Sequence, residues 1–175
     1  MEAHKVDIAA AVAVVLGGVA LVFVHYYGGS AGDPEGWFAA LGFAAPFIGA
    51  GLVALAGTLR SRPALMLAAG AALIPMSVLS IVLMPLILPA VVLIVRSIQE
   101  RFEPQDLAMP AVLAFGLVVV LAIVVFHQDP VTWSTPDGGG SSSDIVTSLE
   151  AAIAISVTAA AVLIAFFRPA QQHQQ

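Results

Sequence analysis

The sequence predicts an all-α, polytopic transmembrane bundle, with six helices favoured and five as the alternative. Three observations predict it. Hydrophobic residues make up 60% of the chain and charged residues 10%, where an average soluble domain holds about 45–50% and about 25%. Mean hydropathy is +1.01. The apolar residues fall in long continuous runs separated by short polar stretches, without the period-two alternation of a membrane barrel. In hydrocarbon every backbone N–H and C=O needs an internal partner, so such runs cross as helices.

The first run covers residues 6–27. Gly29-Ser30-Ala31 after it offers small residues for signal cleavage, but a signal core is about 7–15 residues and this run is longer, so it reads as a retained span. The second run covers 37–59, and Arg60-Ser61-Arg62 connects it to the uncharged stretch Pro63–Val95. That stretch is half as long again as the roughly 20 residues of one crossing. It contains Pro75, Pro85 and Pro89, each of which removes a backbone donor and kinks or breaks a helix. A turn near Ser77–Ser80 divides it into spans 63–78 and 80–98. Further spans cover 107–126 and 148–167, and the tail 170–175 is expected to be disordered. Together they form one integral membrane domain. Between the last two spans, the Gly138–Ser143 stretch has the composition of a flexible linker. Thr147-Ser148-Leu149-Glu150 fits a capping box, which starts the last helix, and Arg168-Pro169 stops it.

Charge decides between the two arrangements. Lysine and arginine in short loops stay on the cytoplasmic side. With six crossings Lys5, Arg60, Arg62, Arg96, Arg101 and Arg168 all lie inside, and both termini are cytoplasmic. With five crossings the same residues split evenly across the membrane. Length argues the other way, because each arm of a hairpin has about 15 residues, or roughly 22 Å, against a hydrocarbon core of about 30 Å. Snorkelling of Arg62 and Arg96 reduces the deficit.

Small residues recur at helix-packing spacings. Gly42, Ala45, Gly49 and Ala56 form a stripe on the second span, and Ala152, Ser156 and Ala160 form one on the last. Such patterns serve contacts inside a bundle or between copies. Tyr26, Tyr27, Trp37 and Trp133 fall at the outer ends of spans, where interfacial anchoring explains them.

Chemistry is sparse. No ionisable residue lies near the middle of any span, which argues against a proton-coupled pump or a carrier of charged substrates. Ser77, Ser80, Ser156 and Thr158 could line a path for a neutral molecule, although such hydroxyls more often bond a carbonyl of their own helix. A weak echo links Val24-His25 and Asp33-Pro34-Glu35-Gly36-Trp37 to Phe126-His127 and Asp129-Pro130-Val131-Thr132-Trp133. His25, His127 and Asp129 are therefore candidate ligands of a divalent metal at the outer face, since imidazole with carboxylate suits zinc. None of the close spacings of known zinc motifs accompanies them. Asp7 and Glu150 lie in first turns, where a carboxylate complements the helix dipole.

The chain has no cysteine and a net charge of −5, which excludes disulfides and thiolate chemistry and argues against nucleic-acid binding. No hydrolase, zincin or phosphate-loop motif is present, so no enzyme activity and no cofactor are expected. The alanine-, valine- and glycine-rich make-up with few lysines is similar to small multi-pass proteins of GC-rich bacteria. The expectation is a cell (inner) membrane protein. Its role would be that of a structural or accessory subunit packing against a membrane partner or a second copy. The alternative is a small permease or channel for a neutral or lipid-like solute.

Overall fold

A computed structural model describes residues 2–29, 34–78, 81–100, 104–126, 130–135, 138–143 and 147–167. Six α-helices form the fold: α1 (Glu2–Gly29), α2 (Pro34–Leu59), α3 (Pro63–Val78), α4 (Ile87–Gln99), α5 (Ala108–Phe126) and α6 (Ser148–Phe167). Short 3-10 segments, Ile81–Leu86 and Pro104–Leu107, lead into α4 and α5. Helices α1, α2, α5 and α6 are long and apolar enough to cross a membrane, while α3 and α4 are shorter.

The centre of the bundle is α2, which packs on α1, α3, α5 and α6; α3 also packs on α4 and α5, and α4 touches α1. The core is built mostly from alanine with a few large side chains, among them Phe47, Leu73, Met76, Leu93 and Leu117, all buried. Lipid tails are as apolar as these side chains, so close packing rather than water exclusion must hold such a core. Glycine makes that packing possible. A Cβ at Gly51 would lie 2.8 Å from the Val15 amide nitrogen, and one at Gly42 would lie 2.5 Å from Ala151 Cα. Backbones therefore meet directly at the α1–α2 and α2–α6 seams. Pro46 stands inside α2 and Pro75 inside α3, and both helices continue through them.

The connector between α2 and α3 closes through specific bonds. Arg62 N–H donates to Gly57 O at 2.7 Å and Ser61 N–H donates to Thr58 O at 3.2 Å. That pair of bonds is the Schellman arrangement, whose extra residue is left-handed. Here Ser61 takes that conformation, at φ 51°. Pro63 then opens α3, where a missing N–H costs nothing.

Two expectations are corrected. The stretch read as linker is instead a strand: β1 (Pro130–Thr135) pairs antiparallel with β2 (Gly138–Ser143). The Val131-Thr132-Trp133 run favours strand and supplies the partner that a polar Gly/Ser segment lacks alone. The small-residue row foreseen on α6 does not face the bundle interior, so of its two readings contact inside the bundle falls away. Ala151, Ala154, Thr158, Ala161 and Ala165 are the buried set, whereas Ser156 and Ala160 are exposed and Ala152 is half-buried.

Candidate functional site

The described acidic and basic side chains lie near helix ends. At one end of the bundle, Arg96 Nε donates to Asp7 Oδ1 at 3.0 Å, joining α4 to α1. The Asp7 side chain is 4% exposed and that of Arg96 27%. Arg96 Nη1 also donates to Gln99 Oε1 at 3.0 Å, which fixes the guanidinium from its own helix. Next to it Ser97 is fully buried and its hydroxyl donates to Ile94 O at 2.7 Å. Asp7 was expected to serve the dipole of α1 from its first turn; the helix instead begins at Glu2, which puts Asp7 past that turn, and its role is that of interhelical partner to Arg96. Sequence reasoning missed the pair because the residues are far apart in the chain. The charge count gave the available signal, since it placed Lys5 and Arg96 on one side and Asp7 lies beside Lys5.

The other end carries aromatic rings. Tyr26 stacks on Trp37 with centroids 4.2 Å apart, and Phe23 meets Trp37 edge-on at 5.7 Å. His25 lies nearly parallel to Phe43 at 5.4 Å. These rings come from the C-terminal end of α1 and the N-terminal half of α2, so three of the residues expected as separate interfacial anchors, Tyr26, Tyr27 and Trp37, form one packed group; the side chain of Trp133 lies outside what is described. At the start of α6 both capping-box bonds are present. Thr147 N–H donates to Glu150 Oε2 at 2.8 Å, and Glu150 N–H donates to Thr147 Oγ1 at 3.3 Å. Glu150 is buried while doing this.

Of the candidate metal ligands, His25 is half-buried against Phe43, which occupies its ring face and leaves its nitrogens at the ring edge. His127 and Asp129 lie outside the described residues. Among the described residues no group of three or more His, Cys, Asp or Glu side chains comes together.

The hydroxyls considered for a solute path divide. Ser156 faces outward, so it cannot line an interior route; Ser80 lies outside the described residues. Ser77 and Thr158 are buried, and their hydroxyl oxygens have no hydrogen-bond partner. Thr158 sits over Gly49 at the α2–α6 seam. On the outer surface of α5, Val119, Ala122, Ile123 and Phe126 line an apolar groove of about 430 Å³. Comparison with known protein families, with curated proteins and with solved structures finds no match for this chain.

Proposed function

We propose that this chain is a six-crossing membrane protein with both termini cytoplasmic, and that it serves as a structural or accessory subunit packed against a membrane partner. The arrangement of α6 carries the functional part. Its buried alanines already join it to α2, yet a second small-residue row, Ala152, Ser156 and Ala160, is left facing out. In lipid, rows of small residues let another helix approach closely. The interior, by contrast, is filled by helices in backbone contact at Gly42 and Gly51. The test is purification in mild detergent followed by native mass spectrometry. A stoichiometric partner, lost when Ser156 and Ala160 are changed to leucine, supports the reading. A homo-oligomer that carries a neutral solute into liposomes overturns it.

The six-crossing reading rests on the Arg96–Asp7 contact, because a single crossing from Pro63 to Val95 would put these residues on opposite sides. Length is eased as well. The six residues of the 3-10 segment before α4 rise about 2.0 Å each. Added to 13 helical residues at about 1.5 Å, they bring the second arm close to the roughly 30 Å of hydrocarbon. With 16 residues, α3 reaches about 24 Å, and Arg62 at its start can snorkel across part of the remainder. Single cysteines test the arrangement without background, since the chain has none. Positions Ser61 and Gln99 are exposed; they should resist an impermeant maleimide added outside, while position 141 should react. External reaction at Gln99→Cys refutes six crossings.

A permease for a neutral solute is the second reading. Its support is the pair of unpartnered buried hydroxyls, Ser77 and Thr158. Solute flux that falls in a Ser77→Ala variant would favour it.

A further inference from the structure

Helix α1 touches the second arm at two points that share one register, one at Leu86, the residue before α4, and one on α4 itself. At one, Leu86 sits over Gly17, where an added Cβ would meet Leu86 Cδ2 at 2.5 Å. At the other, Arg96 bonds Asp7. Gly17 to Asp7 and Leu86 to Arg96 are the same distance along the chain, run in opposite directions. The two helices are therefore antiparallel, with contacts about 15 Å apart.

We infer that Asp7 and Gly17 form a two-point clamp that sets the position of the short arm α4 against α1. The other neighbour of α4 is α3, where a Cβ at Gly70 would lie 2.9 Å from Ala90 O; that contact joins the two arms but does not seat α4 on α1. The buried side chains of α4 are Ala90, Leu93 and Ser97, and Leu88, Val91, Val95 and Ile98 on the opposite face are exposed. An exposed apolar face slides in lipid without cost, because hydrocarbon solvates each position equally. A glycine notch sets one end of the contact. A buried carboxylate bonded to the Arg96 guanidinium sets the other, since sliding by one turn would break that bond. This inference rests on the six-crossing reading and goes beyond it, by assigning the seating of α4 on α1 to Asp7 together with Gly17.

The same register pairs Ala10 with Leu93, both buried. The experiment is oxidative cross-linking of an Ala10→Cys/Leu93→Cys chain, full length and in membranes. A strong cross-link is expected in the otherwise unaltered protein. Adding Asp7→Leu should reduce its yield by about tenfold, the effect of losing one buried charge contact. Exchanging the charges, Asp7→Arg with Arg96→Asp, should restore it. Asp7 is changed because acidic residues contribute little to insertion orientation, so the count of inner positive charges stays intact. Absence of the cross-link without Asp7→Leu overturns the register. An equal yield with Asp7→Leu overturns the clamp. If the Asp7→Leu chain fails to accumulate, the charge exchange decides: accumulation with cross-linking supports the clamp, and failure overturns it. External labelling of Gln99→Cys separately reports failure of the six-crossing reading.

Discussion

Replacing Gly51 by alanine puts one methyl group where α1 and α2 have no room for it. The new Cβ would lie 2.7 Å from Val15 Cγ2, 2.8 Å from the Val15 nitrogen and 3.1 Å from Val14 Cγ1. Ordinary contact is about 3.5–4.0 Å. The valine methyl can rotate away, but the backbone nitrogen cannot, so the helices must part by roughly 1 Å. A gap of that size forfeits about a quarter to a half of each contact's well of about 0.1–0.2 kcal/mol. Over a few tens of atom pairs along the seam the loss is about 1–2 kcal/mol, within the usual 1–3 kcal/mol of overpacking. Alanine also gains about 0.5–1 kcal/mol of helix propensity over glycine. Gly116 on α5 provides the reference, because a Cβ there meets nothing within 4 Å. Gly116→Ala takes the propensity gain alone, so the difference between the two variants isolates the packing cost. Reversible unfolding in mixed micelles with increasing dodecyl sulfate measures both. The expected gap is about 1–3 kcal/mol in favour of Gly116→Ala. A gap below about 0.5 kcal/mol, the usual error of additivity, would refute direct backbone contact at this seam.

Four further outcomes follow from individual contacts. Ser61→Gly should stabilise by about 1 kcal/mol, because the left-handed φ of 51° strains a residue with a Cβ; a lower unfolding midpoint would contradict the Schellman turn. Thr147→Ala should destabilise by about 1 kcal/mol through loss of the cap to Glu150 N–H, measured in the same assay and with no effect expected from exposed Ser148→Ala. Trp37→Ala should cost more than Phe38→Ala, since Trp37 forms two ring pairs worth about 0.5–1.5 kcal/mol each. Arg96→Met should cost about 3–5 kcal/mol by stranding a buried carboxylate, and Asp7→Asn less, because Arg96 is part-exposed; equal losses would argue that Asp7 is solvated.

Local signals were legible in the sequence, and long-range ones were not. The capping box is read from four adjacent residues, and both of its bonds are present. The six helices follow from runs of apolar residues, whose backbone can only be satisfied internally. The left-handed turn at Ser61 gave no sign, because serine there is an exception to the glycine rule. On α6 the pattern did not tell the interior row from the outer one, for a definable reason. Small residues line two adjacent faces, Ala151–Ala154–Thr158 and Ala152–Ser156–Ala160. Periodicity alone cannot choose between faces one residue apart; Gly42 and Gly49 on α2 make the choice. At the candidate sites, the stacking of His25 on Phe43 and the meeting of Asp7 with Arg96 depend on helix neighbours that no local spacing encodes.

Why a bundle of alanine and glycine should keep the part-buried Asp7–Arg96 pair follows from the lengths of its helices. A long span finds its depth in the bilayer from its own ends, where polar loops and aromatic rings such as Tyr26 and Trp37 stop it. Helix α4 by itself, at 13 residues, is too short for that and depends on the 3-10 segment before it, and its exposed face is apolar along its length. Packing holds it to α3, where Gly70 meets Ala90 O and Ile94, and a separate contact is needed to seat it on α1. A polar contact is different in kind: it is strong at one register and absent one turn away. The pair therefore belongs on the shortest helix and at its loop end, where the guanidinium still reaches water and desolvation is least costly. The same reasoning explains why glycine contacts suffice for α1, α2 and α6. Those helices need only to be held close, because their length already says how deep they sit.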